Sequence, residues 1–287
     1  MKPGLGPQLE GRRILITGGG TGIGAATARA CAAAGMRVML SGRRLGPLEE
    51  VVAEIKSSGG DASLRVGDVA APGASERLLD AMDEDYDGID AVFANAGYGI
   101  EKPVLDASPE EIRRIFDVNL LAAIELMRAT GLRLREENRP GHLLGCASIL
   151  GKFTMPGYGL YSSTKAALTH VCRSMRCELH DDGIAVSSVH PVTTRTEFFN
   201  VAKKESGDGH GPVVKDGIPT HVPRIFVQPA EVVARAVVKC LRRPRAEVWT
   251  SSVGRLSAGI FEMFPPVYEA VLRSEMRRKR REAGPGR

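Results

Sequence analysis

Tyr161 and Lys165 stand four residues apart in the stretch Tyr-Ser-Ser-Thr-Lys. On a helix this spacing projects both side chains from one face, one turn apart. It brings an ammonium within reach of a phenol. A free phenol, with a pKa of about 10, is a poor acid–base group at neutral pH. A nearby cation favours the phenolate and moves that pKa toward the working range. Ser148 ends a short apolar run and offers a hydroxyl that can hydrogen-bond a carbonyl oxygen. It is not read as a nucleophile, because neither His142, at the start of that run, nor His190, on a different one, is placed to activate it. Tyr-x-x-x-Lys alone also fits an ordinary helix surface, so its context decides.

That context begins with a predicted strand at 12–17, the glycine turn Gly18-Gly19-Gly20-Thr21-Gly22-Ile23-Gly24, and an alanine-rich helix to about Ala34. Glycines in such a turn let backbone N–H groups approach a pyrophosphate at the helix start. Further strands are predicted at 37–40, 62–66, 89–93, 142–147, 184–189 and 247–251, with helices between them. Strands alternating with helices imply an α/β fold: a doubly wound, parallel seven-stranded sheet with helices on both faces. Its ligand crevice lies at the strand C-termini. The second strand ends in Ser41-Gly42-Arg43-Arg44, with no acid to take a ribose 2′-hydroxyl. Arg43 and Arg44 can instead pair with a 2′-phosphate, or form a solvated basic turn. Ser108-Pro109-Glu110-Glu111 starts a helix predicted to run to about Glu137, with Asn119 inside it.

Taken in order, the glycine turn, Asn95-Ala96-Gly97, Asn119, Ser148, Tyr161, Lys165 and the loop from Pro191 resemble the short-chain dehydrogenase/reductase family, over about residues 12–250. The resemblance implies a Rossmann-type domain and hydride transfer between a nicotinamide cofactor and a carbonyl or alcohol. By that resemblance Tyr161 moves the proton, Ser148 holds the oxygen, Lys165 supports the tyrosine and the nicotinamide ribose, and Asn119 interrupts helix bonding and positions a water near Lys165. The implied cofactor contacts are Gly18, Gly20, Thr21, Gly22, Ile23, Gly24, Arg43, Arg44, Asp68, Val69, Asn95, Ala96, Gly97, Tyr161, Lys165, Pro191, Thr193 and Thr196. NADP(H) is favoured because of Arg43, NAD(H) stays open, and no metal is required. The family usually has glycine after the proline, where this chain has Val192. A nucleotide-sensing protein without useful turnover is the alternative reading.

The chain has 287 residues, 43% hydrophobic and 25% charged, enough for one large α/β domain. The net charge of +5 is weighted to the C-terminus, and no RNA- or DNA-binding signature accompanies it. Five cysteines without a Cys-x-x-Cys pair argue against a disulfide framework or zinc site. The lack of an apolar leader or of a run of about 20 apolar residues predicts a cytoplasmic protein. An apolar pocket border is expected from Leu150, Phe153, Met155, Tyr158, Val192, Phe198 and Phe199, and a mobile lid from 201–223. The expected division is a catalytic domain at 1–256 and a helical extension at 257–287, apolar and then basic, which packs on the domain, on a partner in a homodimer or homotetramer, or on a membrane surface.

Overall fold

The computed structural model describes residues 3–207, 210–215, 217–220 and 222–282, without the side chains of residues 275 and 278–282. The nucleotide-side half runs β1 (Arg13–Thr17), α1 (Gly22–Ala33), β2 (Arg37–Gly42), α2 (Leu45–Ser57), β3 (Asp61–Val66), α3 (Ala74–Tyr86) and β4 (Ala91–Ala94). After α4 (Pro109–Phe116) and α5 (Ala122–Glu136) come β5 (Gly141–Cys146), α6 (Gly159–Glu178) and β6 (Ile184–His190). Short elements follow: β7 (Thr193–Arg195), α7 (Phe198–Glu205), β8 (Val214–Lys215), β9 (Ile218–Pro219) and β10 (Val227–Pro229). The chain then forms α8 (Ala230–Arg242), β11 (Glu247–Trp249), α9 (Ser252–Met263) and α10 (Pro265–Glu282).

Seven parallel strands form the central sheet in the order β11-β6-β5-β4-β1-β2-β3. The direction of winding reverses at β1, so β1 and β4 flank the switch-point crevice. Alternation along β1 divides the core. Ile14 and Ile16 pack under α1, α2 and α8, whereas Leu15 packs under α3, α5 and α6. Strands buried on both faces explain the continuous apolar runs of the sequence. The alanines of α1 have a packing role: Ala26 meets Ala230 and Ala234, letting α1 and α8 approach closely.

The helix expected over 108–137 starts as predicted, with a Ser108–Glu111 capping box, and is interrupted at Asn119 as the resemblance implies, where Asp117–Leu121 forms a π-helical turn between α4 and α5. The buried Asn119 lies in this turn, where its side chain bonds to Tyr98 rather than to its own helix. Single π turns of this kind recur at functional sites. The segment expected to be a lid also carries more structure than its composition suggests. Its first part lies in α7, and β8 pairs antiparallel with β9. Ser206 Oγ accepts from Glu101 N (2.9 Å), while Gly211 N donates to Glu101 O (3.0 Å).

The final strand leads directly into α9, whose start is capped by Ser251 Oγ accepting from Gly254 N (3.0 Å). Residue 257, the expected start of the extension, falls inside this helix. Ala258 is buried against Ile149 and Val192. Phe264 ends the helix before Pro265-Pro266, which disfavour a helical conformation in the preceding residue.

Candidate active site

The crevice begins at the end of β1. Thr17 Oγ1 accepts from the backbone N–H groups of Asn95 (3.1 Å) and Ala96 (3.0 Å), and Asn95 Nδ2 donates to Thr17 O (2.9 Å). These bonds tie the β1 and β4 ends together. A β-carbon on Gly24 would lie 2.1 Å from Gly18 O, so α1 can reach this close to the turn only with glycine there. Gly22 has φ +54°, and its missing side chain leaves room for Thr196 Cγ2. Thr21 caps α1 with its backbone alone, and no acid lies in the first turn. The open N–H groups, with Gly18, Gly20 and Ile23 around them, form a cradle for an anion. The residues present therefore fit a dinucleotide's phosphates.

At the far end of this cradle, Ser41 is buried and Arg43 and Arg44 are exposed. Arg44 reaches across the crevice to Glu197 (2.7 Å), in the loop that carries Thr193 and Thr196. Asp68 accepts from Ala70 N (3.0 Å) and pairs with Arg114. Burial pushes the Asp68 carboxyl up, but the Ala70 N–H and Arg114 outweigh it and hold the pKa below its ordinary value. Val69 borders a small cavity with Thr17, Ala94 and Ala96.

The proton-handling candidates lie at the C-terminal ends of β5 and β6. Ser148 follows β5 in an extended conformation, and its Oγ accepts from Leu150 N (3.1 Å). Tyr161 and Lys165 lie one turn apart on α6, both buried. Burial pushes the Tyr161 phenol up from its ordinary pKa, and a hydrogen bond with Ser148 opposes that rise. Lys165 Nζ lies 5.7 Å from the Tyr161 ring centroid but donates to Cys146 O (2.8 Å). The expected depression of the phenol by Lys165 is thus not the dominant influence here, because burial dominates and lowers the lysine's own pKa as well. Asn119 Oδ1 accepts from Tyr98 N (2.9 Å) and Nδ2 donates to Tyr98 O (2.8 Å). A β-carbon on Gly97 would stand 3.0 Å from Asn119 Oδ1 and 3.4 Å from Lys165 Nζ. Asn95-Ala96-Gly97, Asn119 and α6 therefore meet at one point.

Pro191 O accepts from Ile149 N (3.0 Å), fastening the proline loop to the Ser148 turn. Thr196 Oγ1 accepts from Phe198 N (3.2 Å) and starts α7. Of the expected pocket residues, Leu150, Met155, Tyr158 and Phe198 cluster with Tyr161, and Phe198 meets the Tyr161 ring edge-on at 5.6 Å. Phe153 and Val192 belong to a second cluster under α9, and Phe199 is buried. Tyr158 donates to Glu101 Oε2 (2.6 Å), which locks its ring in place.

Three supporting groups escape a reading of the sequence. His190 shares Nδ1 with Ser148 O (3.2 Å) and Nε2 with Ser188 Oγ (2.9 Å), and its ring stacks on Trp249 at 4.8 Å. Burial pushes its pKa down to about 4, against the pull of the Ser148 carbonyl. Glu247 receives Lys152 (2.9 Å) and Arg173 (2.8 Å). Burial raises the Glu247 pKa, but those two hydrogen bonds outweigh it and bring the pKa down to about 2. Gly254 is the third, and its meaning depends on Val192. The position of His190 at a strand end next to the serine strand was the one available sequence signal.

Comparison with known proteins agrees with this fold. The family model for short chain dehydrogenases matches residues 12–207. An uncharacterized oxidoreductase of Listeria innocua is 29% identical over 70% of this chain and 82% of its own. Versicolorin reductase of Emericella nidulans is 33% identical over 69% of this chain and 75% of its own. A short-chain dehydrogenase/reductase of Burkholderia phymatum, solved with NAD, superposes with a TM-score of 0.81 at 19% identity, covering 91% of this chain and 96% of its own. An alcohol dehydrogenase of the archaeon Thermococcus sibiricus, solved with 5-hydroxy-NADP, gives 0.69 at 26% identity, covering 83% and 95%. With the fold, the glycine cradle and the matched segment in agreement, the chain belongs to the short-chain dehydrogenase family of oxidoreductases.

Proposed function

We propose that this protein is an NADP(H)-dependent reductase or dehydrogenase acting on a carbonyl or alcohol of a small, largely apolar organic molecule. The observation that carries the reading is the convergence at Gly97. The glycine cradle runs into the same point that Asn119 Oδ1 and Lys165 Nζ approach. A nicotinamide dinucleotide in this cradle would supply or take the hydride. The 5-hydroxy-NADP complex of the archaeal relative supports such a ligand, and Arg43 at the end of β2 favours a 2′-phosphate.

The remaining chemistry falls to the chain. In reduction, Tyr161 gives its phenolic proton to the substrate oxygen, and Ser148 holds that oxygen by a hydrogen bond. Burial keeps the phenol in its protonated, donating form. Lys165 stands beside the phenol to offset negative charge that develops on it. Asn119 fixes the Tyr98 backbone and, by the family resemblance, supports a water relay near Lys165. Phe198, Leu150 and Met155 give the substrate an apolar boundary next to Tyr161.

A panel of ketones, aldehydes and secondary alcohols, followed at the NADPH absorbance band, tests the proposal. Turnover of an apolar member with NADP(H) is expected. NADPH binding with no turnover across the panel would support the nucleotide-sensing alternative instead.

A further inference from the structure

The largely apolar wall around Tyr161 contains one hydrogen-bonded carboxylate. Leu150, Met155 and Phe198 contribute carbon, and the buried Tyr158 ring packs in the same cluster. Tyr158 stands at the N-cap of α6, three residues before Tyr161, a spacing that makes the two side chains neighbours on the helix. Its hydroxyl proton is already committed: Tyr158 Oη donates to Glu101 Oε2 at 2.6 Å, a charge-assisted bond. Burial, that bond and the charge of Glu101 all push the Tyr158 pKa up, and Tyr161 adds to the rise from nearby. The phenol therefore keeps its proton, and the proton points at Glu101.

Glu101 is held as firmly as the tyrosine. Its N–H donates to Ser206 Oγ (2.9 Å), and its carbonyl accepts from Gly211 N (3.0 Å). Next to it, Lys102 N donates to Gly157 O (2.8 Å). Two residues earlier, a β-carbon on Gly99 would stand 2.8 Å from Phe198 Cζ, so α7 lies directly against this segment. The 98–102 segment, α7 and the start of α6 thus meet around one carboxylate. That much backbone bonding fixes the direction from which the Tyr158 hydroxyl is met.

A phenol that gives its only proton to a carboxylate offers a ligand nothing but lone pairs. The carboxylate is also an acceptor, it is only half-buried, and just one of its oxygens is engaged by Tyr158. Such a pair suits an O–H group and leaves an ether or a methyl group in the same place without a partner. We propose that Tyr158 and Glu101 form a specificity subsite for a hydroxyl on the substrate, beside the carbonyl that reacts at Tyr161. Tyr158 touches that hydroxyl, and Glu101 is the positioning residue that fixes the Tyr158 proton. The subsite rests on the reading that a carbonyl approaches Tyr161, and it narrows the substrates to apolar carbonyl compounds that carry a hydroxyl.

The test uses meta- and para-hydroxyacetophenone, their methyl ethers and acetophenone itself. Affinities are measured by isothermal titration with NADP⁺ present, so that no turnover is needed, and reduction is followed separately with NADPH. The wild type should bind one hydroxyl ketone roughly tenfold more tightly than its ether and than acetophenone, the scale of one hydrogen bond to a charged group. Glu101→Gln keeps the size of the side chain, but its amide can donate to Tyr158 Oη and free the Tyr158 proton. The preference should then disappear while the affinity for acetophenone holds. Equal affinities in the wild type, or no binding of any of the ketones, would overturn the proposal. So would an unchanged preference in Glu101→Gln, or a loss of acetophenone together with the hydroxyl ketone, which would make Glu101 a structural support only. Binding and turnover also separate this subsite from the reaction. A hydroxyl preference lost in Glu101→Gln without any reduction would uphold the subsite and count against the reaction, whereas reduction of every ketone without a preference would overturn the subsite alone.

Discussion

Val192 Cγ1 lies 2.7 Å from the point where a β-carbon on Gly254 would stand. The proline loop of this chain thus has a valine side chain at this point, and α9 has a glycine where Val192 needs space. The first turn of α9 and the loop beside Ser148 form one packed unit with Ile149 and Ala258. Gly254→Ala is expected to lower stability by about 1–3 kcal/mol through overpacking. Adding Val192→Ala should recover part of that loss, a coupling that urea unfolding of both single variants and the double would show. Additive losses would mean that the contact does not limit packing.

The neutral state of His190 makes a second prediction. Its folded pKa is about 4, against about 6.5 in an unfolded chain. Between these values the unfolded chain binds a proton that the folded one excludes, so stability falls as pH drops from 6.5 to 4. His142, buried beside Ser187 and pushed down to about 3, adds to the same slope. His190→Gln should remove His190's share, on the order of 3 kcal/mol at most. Denaturant midpoints at pH 7 and pH 5 measure it: the wild type should lose more than the variant.

Tyr161→Phe should bind NADPH as the wild type does, judged by fluorescence titration, and lose ~10²–10⁴-fold in turnover. Near-normal turnover would remove Tyr161 from the mechanism. Because burial raises the phenol's pKa, carbonyl reduction should vary little around neutral pH. Alcohol oxidation needs the phenolate, so its kcat/KM should climb with pH, roughly tenfold per unit while pH stays below the pKa.

Arg43→Ala should weaken NADPH by roughly tenfold or more, the scale of one hydrogen bond to a charged group, and leave NADH nearly unchanged. Equal losses for the two cofactors, measured by isothermal titration, would contradict a 2′-phosphate contact. Arg44→Ala should have the smaller effect on this ratio, since Arg44 is engaged with Glu197.

Much of this protein was legible in its sequence, for local reasons. Most strands of the central sheet are short apolar runs between turn residues, and a parallel strand buried on both faces needs little else, whereas the edge strand β3 is mixed and partly exposed. The glycine turn was legible because Gly22 and Gly24 hold positions that backbone geometry alone restricts. Ser148, Tyr161 and Lys165 were legible because four residues on a helix and one strand end fix where they project. What only the tertiary structure decided involves residues far apart in the chain. The π turn at Asn119 follows from hydrogen bonds to Tyr98, 21 residues away. The ammonium of Lys165 could be aimed at Tyr161 by helical spacing, but the carbonyl of Cys146 that holds it belongs to β5. His190 meets Ser148 across the β5–β6 boundary, and Lys152 meets Glu247 across 95 residues. Spacing along one element is set by backbone geometry, whereas burial and long-range partners are set by how the elements pack, and those decide the protonation of Tyr161, Lys165 and His190.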